Sequence, residues 1–208
     1  MKSFNGGFKN FWEYNKGKII ALIFLAAFVV LLLTHCNMNP EKYFSILYVT
    51  DSYSTDGEML KQQLKQNVDF SKTDEGEMEV YFEHIQVSDS KADRIGMATG
   101  EELTTRMING DCSLLLFDKE TVLYFIEEDG VYIDLSQYAK KHNIPEENLI
   151  KSKDGKSVYA ISVTDNKFLT KCSLDCSDLY VAIRVPQDGD VDKYTNAKAS
   201  LEYIISNQ

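Results

Sequence analysis

The chain predicts an α/β domain: a mixed, mainly parallel sheet with helices on both faces, preceded by one N-terminal transmembrane helix. Three observations predict it. Residues Ile19 to Leu33 are fifteen consecutive residues with no polar side chain. Beyond Tyr43, short β-branched and aromatic runs alternate with segments of helical period, the pattern of strands and crossover helices. No repeat of ~20–50 residues and no low-complexity stretch interrupts that alternation. The expected organisation is an N-terminal cytoplasmic or interfacial segment (1–18), the anchor (19–36), a short linker (37–42) and one extracytoplasmic domain (43–208).

The apolar run reaches the ~18 residues needed to cross a bilayer when its first polar flank, Thr34 to Cys36, is counted. Lys2, Lys9, Lys16 and Lys18 precede it, opposed only by Glu13. Basic flanks stay cytoplasmic, so the domain is expected outside. Phe4, Phe8, Phe11 and Trp12 have helical spacing and suit the headgroup layer. Three other readings stand beside a retained anchor. A cleaved signal would look similar but needs a small-residue site, which does not follow. Leu33-Thr34-His35-Cys36 is lipobox-like, with acylation at Cys36, although His35 stands where a small residue belongs. A buried core helix would need cover on all sides.

Tyr43 to Thr50 reads as a buried strand. Thr55 and Glu58 are spaced as a capping box ahead of a helix with Met59, Leu60, Leu64 and Val68 on one stripe. Met78 to Val87 returns as a partly exposed strand. Thr99 and Glu102 form a second box, before Leu103, Met107 and Ile108, with Gly110 as the stop. Cys112 to Phe117 is a continuous apolar strand of the parallel-sheet type. Asp118 caps a third helix that Gly130 ends. Short helical turns surround Pro145. Ser157 to Val163 and Asp178 to Val185 are two more strands. Asp192 to Ser206 is a final helix with Tyr194, Ala197, Leu201, Ile204 and Ile205 on one side.

The chain carries 22 Lys plus Arg against 32 Asp plus Glu. Setting aside four Lys and one Glu in residues 1–36 leaves 18 against 31, a net of −13 for the rest. That balance excludes a nucleic-acid groove, which needs clustered cations. Of four cysteines, Cys36 lies at the membrane edge and Cys112 in an apolar strand. Cys172 and Cys176 are a candidate disulfide, since an extracytoplasmic location permits one. Their C-x3-C spacing is not the C-x2-C of redox or zinc sites.

Several segments resemble extracytoplasmic solute-binding proteins of bacterial ABC importers. Asn109-Gly110-Asp111-Cys112-Ser113-Leu114-Leu115-Leu116-Phe117-Asp118 is similar to their third strand. Asp129 to Tyr138, DGVYIDLSQY, resembles their "G-x-hydrophobic-x-D-L-T-x-Y" segment. Val158-Tyr159-Ala160-Ile161 resembles their "hydrophobic-Y-G/A-I-P" strand, with Ser162 in place of proline. The likeness covers about residues 43 to 163 and implies one periplasmic-binding-like lobe of the type II fold. Such proteins close two lobes on a ligand. Here only about fifteen residues separate Val163 from Asp178, where most of a second lobe would be inserted. The resemblance therefore implies a half-cleft and carries over no ligand residues.

No G-x-S-x-G, H-E-x-x-H, Walker A or G-x-G-x-x-G motif is present, and His35, His84 and His142 have no nucleophile or metal-ligand spacing. Asp51-Ser52-Tyr53-Ser54-Thr55 misses the D-x-S-x-S register of a metal-ion-dependent adhesion site. The sequence thus predicts a membrane-anchored, non-enzymatic binding domain that needs no cofactor or metal. Its partner would be a small solute or, in the alternative, another membrane protein for which it serves as a scaffold subunit. In open α/β sheets ligands bind at strand carboxyl ends. This singles out Asp51, Ser52 and Asp118 as candidate binding residues.

Overall fold

A computed structural model describes residues 15–18, 20, 22–25, 43–51, 57–70, 79–87, 97–109, 112–126, 130–186 and 191–208. The chain divides into two units, Met1–Pro40 and Glu41–Gln208. In the first, residues 15–18, 20 and 22–25 are helical, and Leu22 to Leu25 expose 60–72% of their surface. Most of the run expected to span a membrane lies outside the described residues, as does Cys36. Among those described, no helix is long and apolar enough to cross one.

The second unit is built on one six-stranded sheet. Its strands are β1 (Tyr43–Thr50), β2 (Glu79–Gln86), β3 (Leu114–Asp118), β4 (Leu149–Lys151), β5 (Val158–Ser162) and β6 (Leu179–Ile183). The helices are α1 (Glu58–Asn67), α2 (Met97–Asn109), α3 (Lys119–Phe125), α4 (Ser136–Lys141), α5 (Lys167–Lys171) and α6 (Val191–Ser206). The strand order is β2-β1-β3-β6-β5-β4.

The expectation of a mainly parallel sheet is corrected. Only β1–β2 and β1–β3 pair in parallel, whereas β3–β6, β6–β5 and β5–β4 are antiparallel. The cause is β6, which inserts between β3 and β5. A strand buried on both faces carries the same continuous apolar run whichever way it points. Leu179 to Ile183, all buried, could not declare its direction.

Helices do cover both faces. The chain passes from β1 to β2 on one side and then back across β1 to β3. Two right-handed crossovers that progress in opposite directions must lie on opposite faces. Accordingly Leu60 and Leu64 of α1 join Phe44, Ile46 and Tyr48 in one cluster, completed by Ala139 of α4, Phe168 and Leu169 of α5, and Leu201 and Ile204 of α6. On the other face Leu103 and Met107 of α2, with Val122 and Phe125 of α3, cover Leu47, Val49, Leu115 and Phe117.

Helix starts differ in two places from expectation. Gly57, not Thr55, precedes the first helical residue of α1, so Glu58 sits two positions too early to close the predicted box. Thr99 lies inside α2, which begins at Met97. The third start is as read: Asp118 Oδ1 accepts from the Thr121 backbone N–H at 2.8 Å. Gly57 is required where it stands. Its φ is +63°, and a Cβ there would lie 2.3 Å from the Phe82 ring. Left-handed backbone and the forced shift of a core ring act together, so Gly57→Ala is expected to cost about 2 kcal/mol in urea unfolding.

Candidate functional site

A groove of about 580 Å³ lies between α4 and α6, lined by Asp134, Gln137, Tyr138, Lys141, Tyr194, Lys198, Ala199 and Glu202. Helical spacing builds both walls. Tyr194, Lys198 and Glu202 fall at i, i+4 and i+8, one stripe of α6, while Gln137, Tyr138 and Lys141 form the facing stripe of α4. The apolar stripe beside it, Ala197, Leu201 and Ile204, is fully buried against the sheet and fixes the rotation of α6. Tyr194, expected on that apolar side, is half-buried: it packs against the same core cluster and also lines the groove.

The groove begins where α4 meets the start of β5. Asp134 Oδ1 accepts from Ser136 N at 2.9 Å, Ser136 Oγ at 2.5 Å and Val158 N at 3.0 Å. Partial burial pulls the Asp134 carboxyl up, but those hydrogen bonds and nearby Lys140 outweigh it and hold it below the usual carboxylate range. Near the other end Glu202 Oε1 receives Lys141 Nζ at 2.6 Å and His142 Nε2 at 3.0 Å. Here too partial burial is overcome, by Lys141 and His142, and the Glu202 carboxyl is lowered. This bridge ties α4 to α6 across the groove. Lys198 Nζ rests over the Tyr194 ring, 3.9 Å from its centroid, in cation–π contact. Burial raises the Tyr138 hydroxyl, with Lys198 acting against it and Glu202 with it.

The residues singled out from sequence lie elsewhere. Asp51 and Asp118 follow or end the neighbouring parallel strands β1 and β3, at their carboxyl ends. The structure brings them to one end of the sheet. Asp134 contacts the first residue of β5, and β5 runs parallel to β3 because each is antiparallel to β6. The Asp134 end of the groove therefore lies at the amino end of β5, opposite to the end of the sheet that carries Asp51 and Asp118. Asp118 is buried, and its carboxylate is engaged as the cap of α3. Asp51 is exposed. Ser52 and the Asp51–Thr55 motif as a whole lie outside the described residues. Among the described residues no three His, Cys, Asp or Glu side chains converge on a point where a metal could sit.

Cys172 and Cys176 are buried free thiols rather than the candidate disulfide. Burial pushes each up to about 11. They flank a loop held from behind: the Tyr48 hydroxyl donates to Asp175 O at 3.0 Å and accepts from Asp175 N at 3.1 Å.

His84 stacks on Tyr48 with ring centroids 5.0 Å apart, and its buried Nε2 has no hydrogen-bond partner among the described residues. Burial lowers its pKa from 6.5. The unfolded chain then binds this proton more readily than the folded one, so stability is full above pH 6.5 and falls as pH drops through the folded value. Replacing His84 with Phe should flatten the melting-temperature profile between pH 7 and about 5. An unchanged slope would contradict the burial.

Sequence reasoning missed the groove. The signal within α6 was legible, since Tyr194, Lys198 and Glu202 repeat every four residues. That this stripe faces α4, some sixty positions earlier, was not.

Compared with known proteins, the chain matches no family model, no curated protein and no solved structure at a significant level.

Proposed function

We propose that residues 43–208 are a non-enzymatic, solute-binding-like domain held on the outer face of a cell membrane by the apolar run 19–33, with the α4–α6 groove as its binding site. The groove carries the reading. Its volume falls in the usual range for small-ligand sites, about 300–1,000 Å³, and its walls combine two tyrosine rings with separated charges. The outward-facing apolar side chains Leu22 to Leu25 support the anchor. The strand carboxyl ends are the weaker candidate, because the Asp118 carboxylate there already caps a helix.

Protease applied to intact cells tests the placement. Digestion of 43–208 with survival of 1–18 is expected, and a fully protected domain would refute it. Thermal-shift screening of small solutes, with Tyr194→Ala as the control, tests the groove. Stabilisation that vanishes in the variant is expected, and stabilisation that persists would place the site elsewhere.

A second reading, a scaffold subunit for another membrane protein, has its own support. Ile108 of α2 and Leu123 and Tyr124 of α3 are 62%, 42% and 52% exposed. A stoichiometric protein recovered from solubilised membranes, and lost when these three are changed to Ser, would favour it over a solute.

A further inference from the structure

We propose that the α4–α6 groove recognises a small hydroxylated organic anion, a carboxylate or a phosphate ester, through Lys198. This deepens the preceding reading and rests on the groove being the binding site.

The argument runs through the groups left unmatched. One turn beyond Lys198 on α6 stands Glu202, the carboxylate that would ordinarily face it. Glu202 turns instead across the groove to Lys141 and His142. No carboxylate pairs with Lys198 among the described residues. Its ammonium is seated on the Tyr194 ring, which attracts the charge but accepts none of its three N–H donors as a lone pair would. A cation held in place, partly desolvated by an aromatic face and open on its other side, selects an anion.

The rest of the lining defines the remainder of the ligand. Gln137 and the Oδ2 atom of Asp134 have no hydrogen-bond partner among the described residues, while Oδ1 of Asp134 already accepts three bonds. The open oxygen accepts from a hydroxyl, and the Gln137 amide both donates and accepts. Asp134 also repels a second negative charge at its end of the groove. The fit is one anionic group at Lys198 with hydroxyls reaching toward Gln137 and Asp134. The acidic body, net −10 for the chain, opposes anions at long range, so recognition rests on contact rather than on steering.

Calorimetric titration of the full chain in detergent micelles tests this, using glucuronate, glycerol phosphate and, as the neutral control, glucose. One of the two anions should bind at least tenfold more tightly than glucose, and the stronger anion identifies carboxylate or phosphate as the recognised group. Lys198→Met should weaken that binding about tenfold while lowering the melting temperature of the free protein by no more than about 3 °C, the loss of the cation–π contact, and Lys198→Arg should retain the binding. Equal binding of glucose, no binding of either anion, or full anion affinity in Lys198→Met overturns the anion assignment. Should a probe bind wild type and be lost in Tyr194→Ala but not in Lys198→Met, the anion assignment alone has failed. Should it bind undiminished to both variants, the groove itself is wrong.

Discussion

Replacing Arg184 with methionine should destabilise the 41–208 unit by about 3 kcal/mol. Arg184 is 8% exposed. Its Nε donates to Cys112 O and its Nη1 to Met107 O, both at 3.2 Å. Met107 lies in the last turn of α2, where carbonyls lack intrahelical partners and the helix dipole presents its negative end. The guanidinium thus satisfies orphan acceptors and complements that dipole at once, and its backbone N–H donates to Ser113 O beside β3. Methionine keeps the apolar stem but removes both donors. Both carbonyls then lose the donor that the guanidinium gave them, and the loss of a buried partner costs more than the intact bond contributes. Urea unfolding monitored by circular dichroism should show the midpoint falling with little change in slope. A loss under about 1 kcal/mol would mean that water replaces the guanidinium freely.

A comparable loss, about 3 kcal/mol, is expected at Asn166, where one side chain serves two helices. Asn166 is fully buried. Its Oδ1 caps α5 by accepting from Leu169 N at 2.9 Å, and its Nδ2 donates to Ile204 O, in the last turn of α6, at 3.0 Å. Asn166→Ala removes the cap and leaves the Ile204 carbonyl with only the longer bond from Asn207 N, at 3.4 Å. Asn166→Asp is the sharper test. It is nearly isosteric and retains the cap of α5, yet sets a carboxylate against a carbonyl at the negative end of α6. At pH 7 it should be at least as damaging as alanine, and it should recover as acid restores an O–H donor. An Asp variant as stable as wild type would show that the bond to Ile204 contributes nothing.

The mainstays of the sheet were legible in sequence because local chemistry determines them. Tyr43 to Thr50 and Cys112 to Phe117 are apolar runs of strand length, and they appear as β1 and β3. Asp118 announced its helix because a carboxylate before a helical run meets an exposed backbone N–H. Other features were decided at a distance. Strand β4, only three residues long, exists because β5 lies alongside it. The two capping boxes had the right spacing, but α1 starts at Glu58, behind Gly57, and α2 starts at Met97. Helix α5, between Val163 and Asp178, was missed because its five residues are too few to show a period. The groove was the least legible feature of all: α4 and α6 are amphipathic on their own, and only the insertion of β6 beside β5 sets them face to face.

The central claim, that the ligand site lies between α4 and α6, is tested most directly by amide chemical-shift mapping. Isotope-labelled 41–208 would be titrated with whichever of glucuronate and glycerol phosphate binds. The expected result is shifts concentrated at Gln137, Tyr138, Lys141, Tyr194, Lys198 and Glu202. Shifts gathered instead around Asp51, Asp118 and Lys119 would return the site to the carboxyl ends of the strands and contradict the account.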